Sequence, residues 1–294
     1  MSWLCAGLRL ETRPRPLVMG ILNVTPDSFS DGGRFAAPDS ALDAARQMLA
    51  AGADIIDVGG ESSRPGAQPV PEAEELRRVV PVLERLIPAC PVPVSIDTCK
   101  PAVARWALRL GARIVNDVGA ASDPDMIRLL SESDCGYVLM HRQGTPATMQ
   151  AEPSYRDVVA EVHDFLSQRL EHLSRAGVTP DRIAIDPGFG FGKTWEHNRQ
   201  LLLHLEGLAR IGRPLLVGVS RKSFVGQITG EPPAQRGAGS LAIETIALWL
   251  GACIIRTHDV AAARRAAAAV CALRSGTLPS DVPAARPDPM LTKA

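Results

Sequence analysis

The sequence predicts a single (β/α)8 TIM barrel, the α/β fold in which eight parallel strands alternate with eight helices around a closed sheet. Three observations support this prediction. Short β-branched runs alternate with alanine- and leucine-rich helical stretches from Leu17 onward, there are eight runs of each kind, and no change in composition divides the chain. An open, doubly wound sheet is the alternative that the same alternation permits.

The strand-like runs are short and apolar, and most of them end on polar residues. In chain order they are LVMGILNV (17–24), DIIDVGG (54–60), PVSIDT (93–98), RIVNDV (113–118), GYVLMH (136–141), RIAIDPG (182–188), PLLVGVS (214–220) and ACIIRTHDV (252–260). The candidate helices between them lie near 40–51, 71–86, 101–110, 124–131, 155–176, 196–210, 240–250 and 261–274. Several of these helices are followed by a glycine, such as Gly52 or Gly111, which is the usual residue at a left-handed helix C-terminus.

The predicted barrel spans residues 17–275 as one domain. Residues 1–16 are interpreted as a short N-terminal lead-in, and residues 276–294 as a disordered tail, because that segment is rich in proline and has no hydrophobic periodicity. The most apolar run, SLAIETIALWLGACII, is interrupted by Glu244 and is too short for a membrane span. No export signal is recognisable at the start of the chain.

Charge and cysteine content restrict the partners and the compartment. Basic and acidic side chains balance at 32 each, so no overall field attracts nucleic acid or a membrane surface. The six cysteines form no C-x-x-C pair and mostly have apolar neighbours, which is typical of reduced core residues. We therefore expect a cytoplasmic protein without a nucleic-acid or membrane partner.

Polar side chains collect at the carboxyl ends of the predicted strands, where barrels of this fold have their active sites. These residues are Asn23, Asp57, Glu61, Asp97, Asn116, Asp117, Met140, His141, Asp186, Ser220, Lys222, Arg256 and His258. Any one of them could cap a helix or lie on a solvated rim, and this explanation suffices for Asp57, Asp117 and His141. Polar groups in apolar strands are costly unless they are paired, so Asp97, Asn116 and Asp186 together indicate a ligand.

The strand-end residues divide by charge. Asp97, Asn116 and Asp186 supply hydrogen-bond acceptors, which suit a flat heterocycle with several N–H donors. A second, cationic group suits phosphate oxygens and consists of Arg64, Lys222, Arg256 and His258. The predicted substrate therefore has a donor-rich ring at one end and an anionic group at the other.

The motif DPGFGFGKT, residues 186–194, resembles a phosphate-binding loop but does not match one. A P-loop requires glycine where Pro187 stands, and the dinucleotide fingerprint requires glycine where Lys193 stands. The sequence also has no G-x-S-x-G elbow and no cysteine and histidine cluster with zinc spacing. These absences disfavour an ATPase, covalent serine chemistry and a structural metal.

At these residues the sequence resembles the dihydropteroate synthase family of pterin-binding barrels. The matching motifs are MGILNVTPDSFSDGG, GADIIDVGGESSRPGA, VSIDT, NDV, DPGFGFGKTWEHN, SRKSFVG and RTHDV, in family order. The resemblance covers the chain from Leu17 to about Arg274. It implies an enzyme that joins p-aminobenzoate to 6-hydroxymethyl-7,8-dihydropterin diphosphate and releases pyrophosphate. Sulfonamides would compete with p-aminobenzoate, and a homodimer would form through the late helices.

The resemblance also assigns roles to individual residues. The catalytic residues would be Asp97, Lys222, Asn23 and Arg256. The pterin-binding residues would be Asp97, Asn116, Asp186, Met140 and Lys222, and the diphosphate ligands Asn23, Arg64, Arg256 and His258. The p-aminobenzoate site would consist of Phe29, Ser63, Arg64, Pro65, Phe191, Ser220 and Lys222. Asn23 would also bind the cofactor, Mg²⁺.

The chain departs from the family pattern at a few positions that do not remove an implied catalytic group. Ser63 stands where threonine is common, Arg142 stands where methionine or another residue is more usual, and Phe224 stands where aliphatic residues are frequent. The implied reaction is an SN1-like displacement that requires no protein nucleophile, and the long loop TPDSFSDGG would close over the site. Two alternatives are a pterin-binding methyltransferase domain with a corrinoid partner and a non-catalytic paralogue that binds pterin.

Overall fold

The computed structural model describes residues 1–25, 33–62, 67–144 and 148–278, without the side chains of 33–37. Its strands are β1 (Ser2–Cys5), β2 (Leu8–Glu11), β3 (Leu17–Asn23), β4 (Ile55–Gly59), β5 (Val94–Asp97), β6 (Ile114–Asp117), β7 (Gly136–Met140), β8 (Ile183–Asp186), β9 (Leu216–Val217) and β10 (Ile254–Thr257). Its helices are α1 (Gly33–Ala50), α2 (Glu72–Leu86), α3 (Pro101–Leu110), α4 (Pro124–Glu132), α5 (Val158–Arg175), α6 (Trp195–Leu203), α7 (Leu205–Ala209), α8 (Ser223–Thr229), α9 (Gly237–Trp249) and α10 (Val260–Ser275).

Strands β3 to β10 form one parallel sheet that closes into a barrel. Neighbouring strands follow the order β8-β7-β6-β5-β4-β3-β10-β9. A parallel bridge between Ile185 and Leu215 joins the two edges, with the Ile185 N–H donating to the Pro214 carbonyl oxygen at 2.8 Å. The predicted (β/α)8 barrel is therefore confirmed, and the open sheet is excluded.

Alternation along the strands separates two hydrophobic layers, as the pleat of a β-strand requires. In β3, Met19 faces the barrel interior and Val18 packs against the surrounding helices. In β4, Ile55 likewise faces the barrel interior and Ile56 packs against the helices. These strands are buried on both faces, which explains their continuous apolar sequence.

The N-terminal residues contain a hairpin, which is more structure than the lead-in expected from the sequence. Strands β1 and β2 pair antiparallel, and Trp3 of β1 is fully buried in the core layer that fills the barrel interior. The Trp3 indole N–H donates to the Arg182 carbonyl oxygen at 2.7 Å, just before β8 begins. The hairpin therefore covers the amino-terminal end of the barrel, opposite the strand ends with the polar residues.

The helices also differ in detail from the predicted ones. The stretch expected as a helix near 196–210 consists of α6 and α7, and a further short helix, α8, begins at Ser223. Residues 279–294 of the expected tail lie outside the described residues. Across the described segments we find no helix with the length and apolar character needed to cross a bilayer.

Glu244 is a buried carboxylic acid within the apolar helix α9. Its side chain is only 2% exposed, and its Oε1 has no hydrogen-bond partner in the described structure. Burial raises the pKa of Glu244 to about 8 because desolvation outweighs the hydrogen bond with Thr257. The folded protein therefore favours the protonated acid.

We expect Glu244→Gln to stabilise the protein selectively at alkaline pH. Unfolded glutamic acid ionises near pH 4.5, so the wild-type chain loses stability as the pH rises from there to about 8. The free energy of unfolding of the variant should match wild type near pH 4 and exceed it by roughly 1 to 4 kcal/mol at about pH 9. Urea unfolding at both pH values measures this. Glu84→Gln, at an exposed position on α2, is the control. If the free energies of unfolding of wild type and Glu244→Gln differed by the same amount at both pH values, the expectation would be contradicted.

Candidate active site

A partly buried arginine joins two carboxylates at the carboxyl end of the barrel. Arg256 from β10 donates through Nε to Asp57 Oδ2 and through Nη2 to Asp97 Oδ2, both at 2.6 Å. Asn116 from β6 also donates to Asp57 Oδ2, at 2.9 Å. Asp57 therefore links strands β4, β6 and β10. The rim or capping explanation offered for it from the sequence was wrong.

The cluster around Arg256 has more carboxylates than cations. Burial raises the pKa of Asp97 to about 7, an effect that Arg256 opposes and Asp57 reinforces. Burial also raises the pKa of Asp186, and Lys222 opposes this effect. Thus Asp57, Asp97 and Asp186 share Arg256 and Lys222, and they retain acceptor capacity for a ligand that carries N–H donors.

Asp186 is held at the start of the loop after β8. Its Oδ1 accepts a hydrogen bond from the Gly188 N–H at 2.7 Å, and the side chain is 6% exposed. A carboxylate has a second oxygen, so Asp186 can accept from the neighbouring backbone and from a ligand together.

Lys222 and Phe191 lie together beside Asp186. The Lys222 amine donates to the Phe189 carbonyl oxygen, and its Nζ lies 4.1 Å from the centre of the Phe191 ring. Burial lowers the pKa of Lys222 to about 7, although Asp186 opposes the shift. Phe191 packs in a small apolar cluster with Met140 and Met149. The structure thus brings together three residues that the sequence placed around the two substrates: Lys222, Phe191 and Met140.

Ser220 contacts His258 at the ends of β9 and β10. Its Oγ lies 3.0 Å from His258 Nδ1 and accepts from the His258 N–H at 3.2 Å. The sequence assigned Ser220 to p-aminobenzoate and His258 to the diphosphate. Their contact places the Ser220 hydroxyl beside His258, the residue predicted to bind the diphosphate.

Asn23 ends β3 next to the carboxylate cluster. Gly59 is its register partner on β4, and a Cβ built on Gly59 would lie 3.9 Å from Asn23 Oδ1 and 3.8 Å from Asp97 Oδ2. Within the described ranges, no group of three or more histidine, cysteine, aspartate or glutamate side chains is placed to hold a metal ion. A metal at Asn23 would therefore need ligands in addition to these described residues, and the oxygens of a substrate phosphate are ligands that Mg²⁺ often uses.

Four predicted site residues fall on segments that the structure does not describe. Phe29 lies in 26–32, and Ser63, Arg64 and Pro65 lie in 63–66. The expectation that TPDSFSDGG closes over the site also concerns residues mostly outside the described ones.

Two polar strand-end residues have structural partners. Asp117 accepts from the Gly119 N–H at 2.6 Å, from the Ala121 N–H at 2.7 Å and from the Tyr137 hydroxyl at 2.9 Å, so it organises the turn after β6. His141 Nδ1 lies 2.8 Å from the buried amine of Lys193.

The base of the loop after β4 carries an ion cluster that the sequence did not predict. Lys100 pairs with Glu61 and with Glu75, and the Glu61 carboxylate also accepts from the Val70 N–H at 3.1 Å. Glu75 is fully buried. The cluster therefore joins both ends of residues 61–70 to α2 and to the segment before α3. Its only signal in the sequence is a polar Glu61 directly after a strand.

The fold and the site define a class of protein: a (β/α)8 barrel with carboxylates and cationic side chains gathered at the carboxyl ends of its strands. Residues 19–258 match the model of the family described as pterin binding enzyme. The chain belongs to this family.

Relatives of known structure and sequence agree with this assignment. The chain is 48% identical to the dihydropteroate synthase of Escherichia coli K12 over 83% of its own length and 87% of that protein. It superimposes on Yersinia pestis dihydropteroate synthase in a sulfonamide drug complex with a TM-score of 0.88, 47% identity and coverage of 94% and 100% of the two chains. A Xanthomonas albilineans dihydropteroate synthase in complex with 7,8-dihydropteroate gives a TM-score of 0.84 at 43% identity, with coverage of 96% and 100%. The family resemblance predicted from the motifs is confirmed.

Proposed function

We propose that this chain is a dihydropteroate synthase, a transferase that joins p-aminobenzoate to 6-hydroxymethyl-7,8-dihydropterin diphosphate. The observation that carries the proposal is Arg256 held between Asp57 and Asp97, beside Asn116 and Asp186, on a chain with dihydropteroate synthase relatives along most of its length. The product of the reaction is 7,8-dihydropteroate, the ligand named for the Xanthomonas albilineans relative.

The acceptor side of the site suits the pterin ring. Asp186 offers a carboxylate oxygen beyond the one that accepts from Gly188. Asn116 is oriented by Asp57, so its amide oxygen is turned away from that carboxylate. Together with Asp97, these groups match the amino-pyrimidine edge of a pterin, whose N–H groups are donors.

The cationic side suits the diphosphate. Arg256 lies near the end of β10, His258 directly follows that strand, and Asn23 lies on the neighbouring strand β3. In the proposed step the bond between the methylene carbon and the diphosphate oxygen breaks, and its electron pair leaves with pyrophosphate. The dihydropterin ring delocalises the positive charge that remains, and Asp97 stabilises it. The amine of p-aminobenzoate then forms the new C–N bond and loses a proton.

Asn23 and the diphosphate would together hold Mg²⁺. The side-chain amide of Asn23 makes no hydrogen bond to other described residues, so its Oδ1 is available as a hard ligand. When bound, the ion would neutralise charge on the departing pyrophosphate. The supporting observation is the position of Asn23 Oδ1 near the Gly59 and Asp97 edge of the site.

Phe191 and Lys222 would form one wall of the p-aminobenzoate site. The Lys222 amine over the Phe191 ring fixes both groups at the mouth of the barrel. The structurally similar Yersinia pestis enzyme is in a sulfonamide drug complex, so we infer that sulfonamides compete with p-aminobenzoate on this chain as well.

We also infer that the protein works in the cytoplasm as a homodimer. All six cysteines are free, which is usual where thiols are kept reduced. Recovery of the protein with the periplasmic or membrane fraction of producing cells would contradict the first inference. The exposed side chains of Ile246 and Trp249 on α9 and of Leu273 on α10 support the second, because they leave a largely apolar surface on two adjacent helices.

Asp186→Asn should weaken binding of the dihydropterin diphosphate by roughly 10- to 100-fold, because an amide group would turn a donor toward the donors of the ring. Isothermal titration calorimetry measures the affinity. Asp181→Asn, at an exposed position just before β8, serves as the control. Unchanged affinity in Asp186→Asn would refute the role of Asp186.

The purified protein should release pyrophosphate from dihydropterin diphosphate only when p-aminobenzoate and Mg²⁺ are both present. Coupled detection of pyrophosphate and chromatography of dihydropteroate measure the reaction. Removal of Mg²⁺ with a chelator should abolish turnover, and Asn23→Ala should raise the Mg²⁺ concentration needed for half-maximal rate. Pterin binding without turnover would favour the non-catalytic paralogue, and full activity in chelator would refute the metal assignment.

Light scattering should give twice the monomer mass of 31.3 kDa. Trp249→Glu should shift the protein toward the monomer, because it would bury a charge in the proposed interface. Trp106→Glu changes a tryptophan of similar exposure on α3, 46% against 49%, and should leave the dimer intact. A wild-type monomer at micromolar concentration would exclude the dimer.

A further inference from the structure

Lys193 is a buried amine to which the proposed reaction assigns no role. Its side chain is only 3% exposed and lies beneath the loop that follows β8. Its Nζ has three partners: the Gly188 carbonyl oxygen at 3.0 Å, the Phe191 carbonyl oxygen at 3.1 Å and His141 Nδ1 at 2.8 Å. A buried lysine with this set of partners requires a reason, because burial of an amine is costly.

The backbone around Lys193 is wound so that carbonyl groups face its amine. Gly188, Gly190 and Gly192 have left-handed φ values of +68°, +77° and +62°. A Cβ on Gly188 would lie 1.9 Å from the His141 carbonyl oxygen, and one on Gly192 would lie 2.4 Å from that of Gln143. Glycine is therefore required at these two positions for close packing as well as for conformation.

Other side chains hold the outer surface of the same loop. The Gly190 N–H donates to Asn198 Oδ1 at 2.8 Å, Gln150 donates to the Gly190 carbonyl oxygen at 2.5 Å, and the Tyr155 hydroxyl donates to the Gly192 carbonyl oxygen at 2.8 Å. Lys193 supplies two further contacts, to the carbonyl oxygens of Gly188 and Phe191, which these side chains do not make. We call these two the inner contacts of the loop.

The loop connects Lys193 to the candidate site through consecutive peptide groups. Gly188 donates its N–H to Asp186 and accepts from Lys193 through its carbonyl oxygen. Phe189 accepts from Lys222, and the next aromatic residue, Phe191, accepts from Lys193 while its ring lies under the Lys222 amine. Displacement of the inner contacts would therefore move the Phe191 ring relative to Lys222.

We propose that Lys193 is a positioning residue whose side-chain amine fixes residues 188–191, so that Phe191 and Lys222 are correctly placed for the second substrate. This inference rests on the proposed function, in which Phe191 and Lys222 form the p-aminobenzoate wall.

The arrangement is compatible with either protonation state of Lys193. Burial lowers the pKa of His141 to about 3, so its imidazole is neutral at pH 7. Burial likewise lowers the pKa of Lys193 well below its usual value, although Asp186 opposes the shift. A primary amine keeps two N–H donors when it is neutral, enough for the carbonyl groups of Gly188 and Phe191, and as an ammonium it has a third for His141.

The test compares Lys193→Met, which retains the length of the side chain but has no donor, with the wild-type protein. The KM for p-aminobenzoate should rise by at least about tenfold, because two buried carbonyl groups lose their partner and the loop relaxes. The KM for dihydropterin diphosphate should change by less than about threefold, because most of its ligands lie on other strands. Hydrogen exchange of the peptide that covers 186–194 should become faster.

Two further variants keep the test decisive. Lys193→Gln retains two N–H donors, so it should show a smaller rise in KM for p-aminobenzoate, and it replaces Lys193→Met if the latter does not fold. Tyr155→Phe removes one outer contact at the far end of the loop and is the matched control, with a KM for p-aminobenzoate close to that of wild type.

A purely structural lysine would lower the melting temperature of Lys193→Met but leave both KM values and the exchange of 186–194 unchanged, and this result would overturn the proposal. Equal rises in both KM values would also overturn it. If the wild-type protein forms no dihydropteroate, the proposed function fails, whereas the exchange comparison still tests whether Lys193 holds the loop.

Discussion

The organisation of the site depends on one partly buried guanidinium group. Arg256 joins the carboxylates of Asp57 and Asp97 and so connects β10 with β4 and β5 across the mouth of the barrel. Because Asn116 donates to the same oxygen of Asp57, the orientation of its amide also depends on this ion pair. A charge pair at this depth is weak evidence of net stabilisation, since both ions are desolvated. Its value lies in the fixed directions that it gives to the groups around the ligand.

The other polar groups of the mouth are held by backbone rather than by ions. Gly188 fixes Asp186, and the carbonyl of Phe189 fixes Lys222, so the loop after β8 serves as a rigid wall. The two described ends of residues 61–70 are held differently, by the ion pairs that Lys100 makes with Glu61 and Glu75 and by the hydrogen bond from the Val70 N–H to Glu61. In the proposed function, β8 and its loop therefore serve both substrates: Asp186 contacts the pterin, and Phe191 contacts p-aminobenzoate.

The sequence predicted the barrel because its periodicity is strong. It indicated Asp97, Asn116 and Asp186 as candidate ligand-binding residues because polar residues are rare in buried strands. It misjudged Asp57 for a physical reason: an aspartate near the end of a predicted strand is equally suited to cap a helix, and only the folded sheet shows that Arg256 of β10 reaches it across β3. The N-terminal hairpin was missed because its strands are four residues long, too short for a periodic signal. In the sequence, Lys193 is notable only as a mismatch to the dinucleotide fingerprint, and nothing in its position shows that glycines with positive φ turn carbonyl groups toward it.

The two ends of the barrel have opposite energetic roles. At the amino-terminal end, the buried Trp3 and the apolar interior contribute stability through burial. At the carboxyl end, Asp57 Oδ1 is buried without a partner in the described structure, and Asp97 and Asp186 have raised pKa values. These groups destabilise the empty protein, and a ligand with several N–H donors would relieve that cost on binding. In the proposed function, this excess of acceptors favours a donor-rich ring such as the pterin.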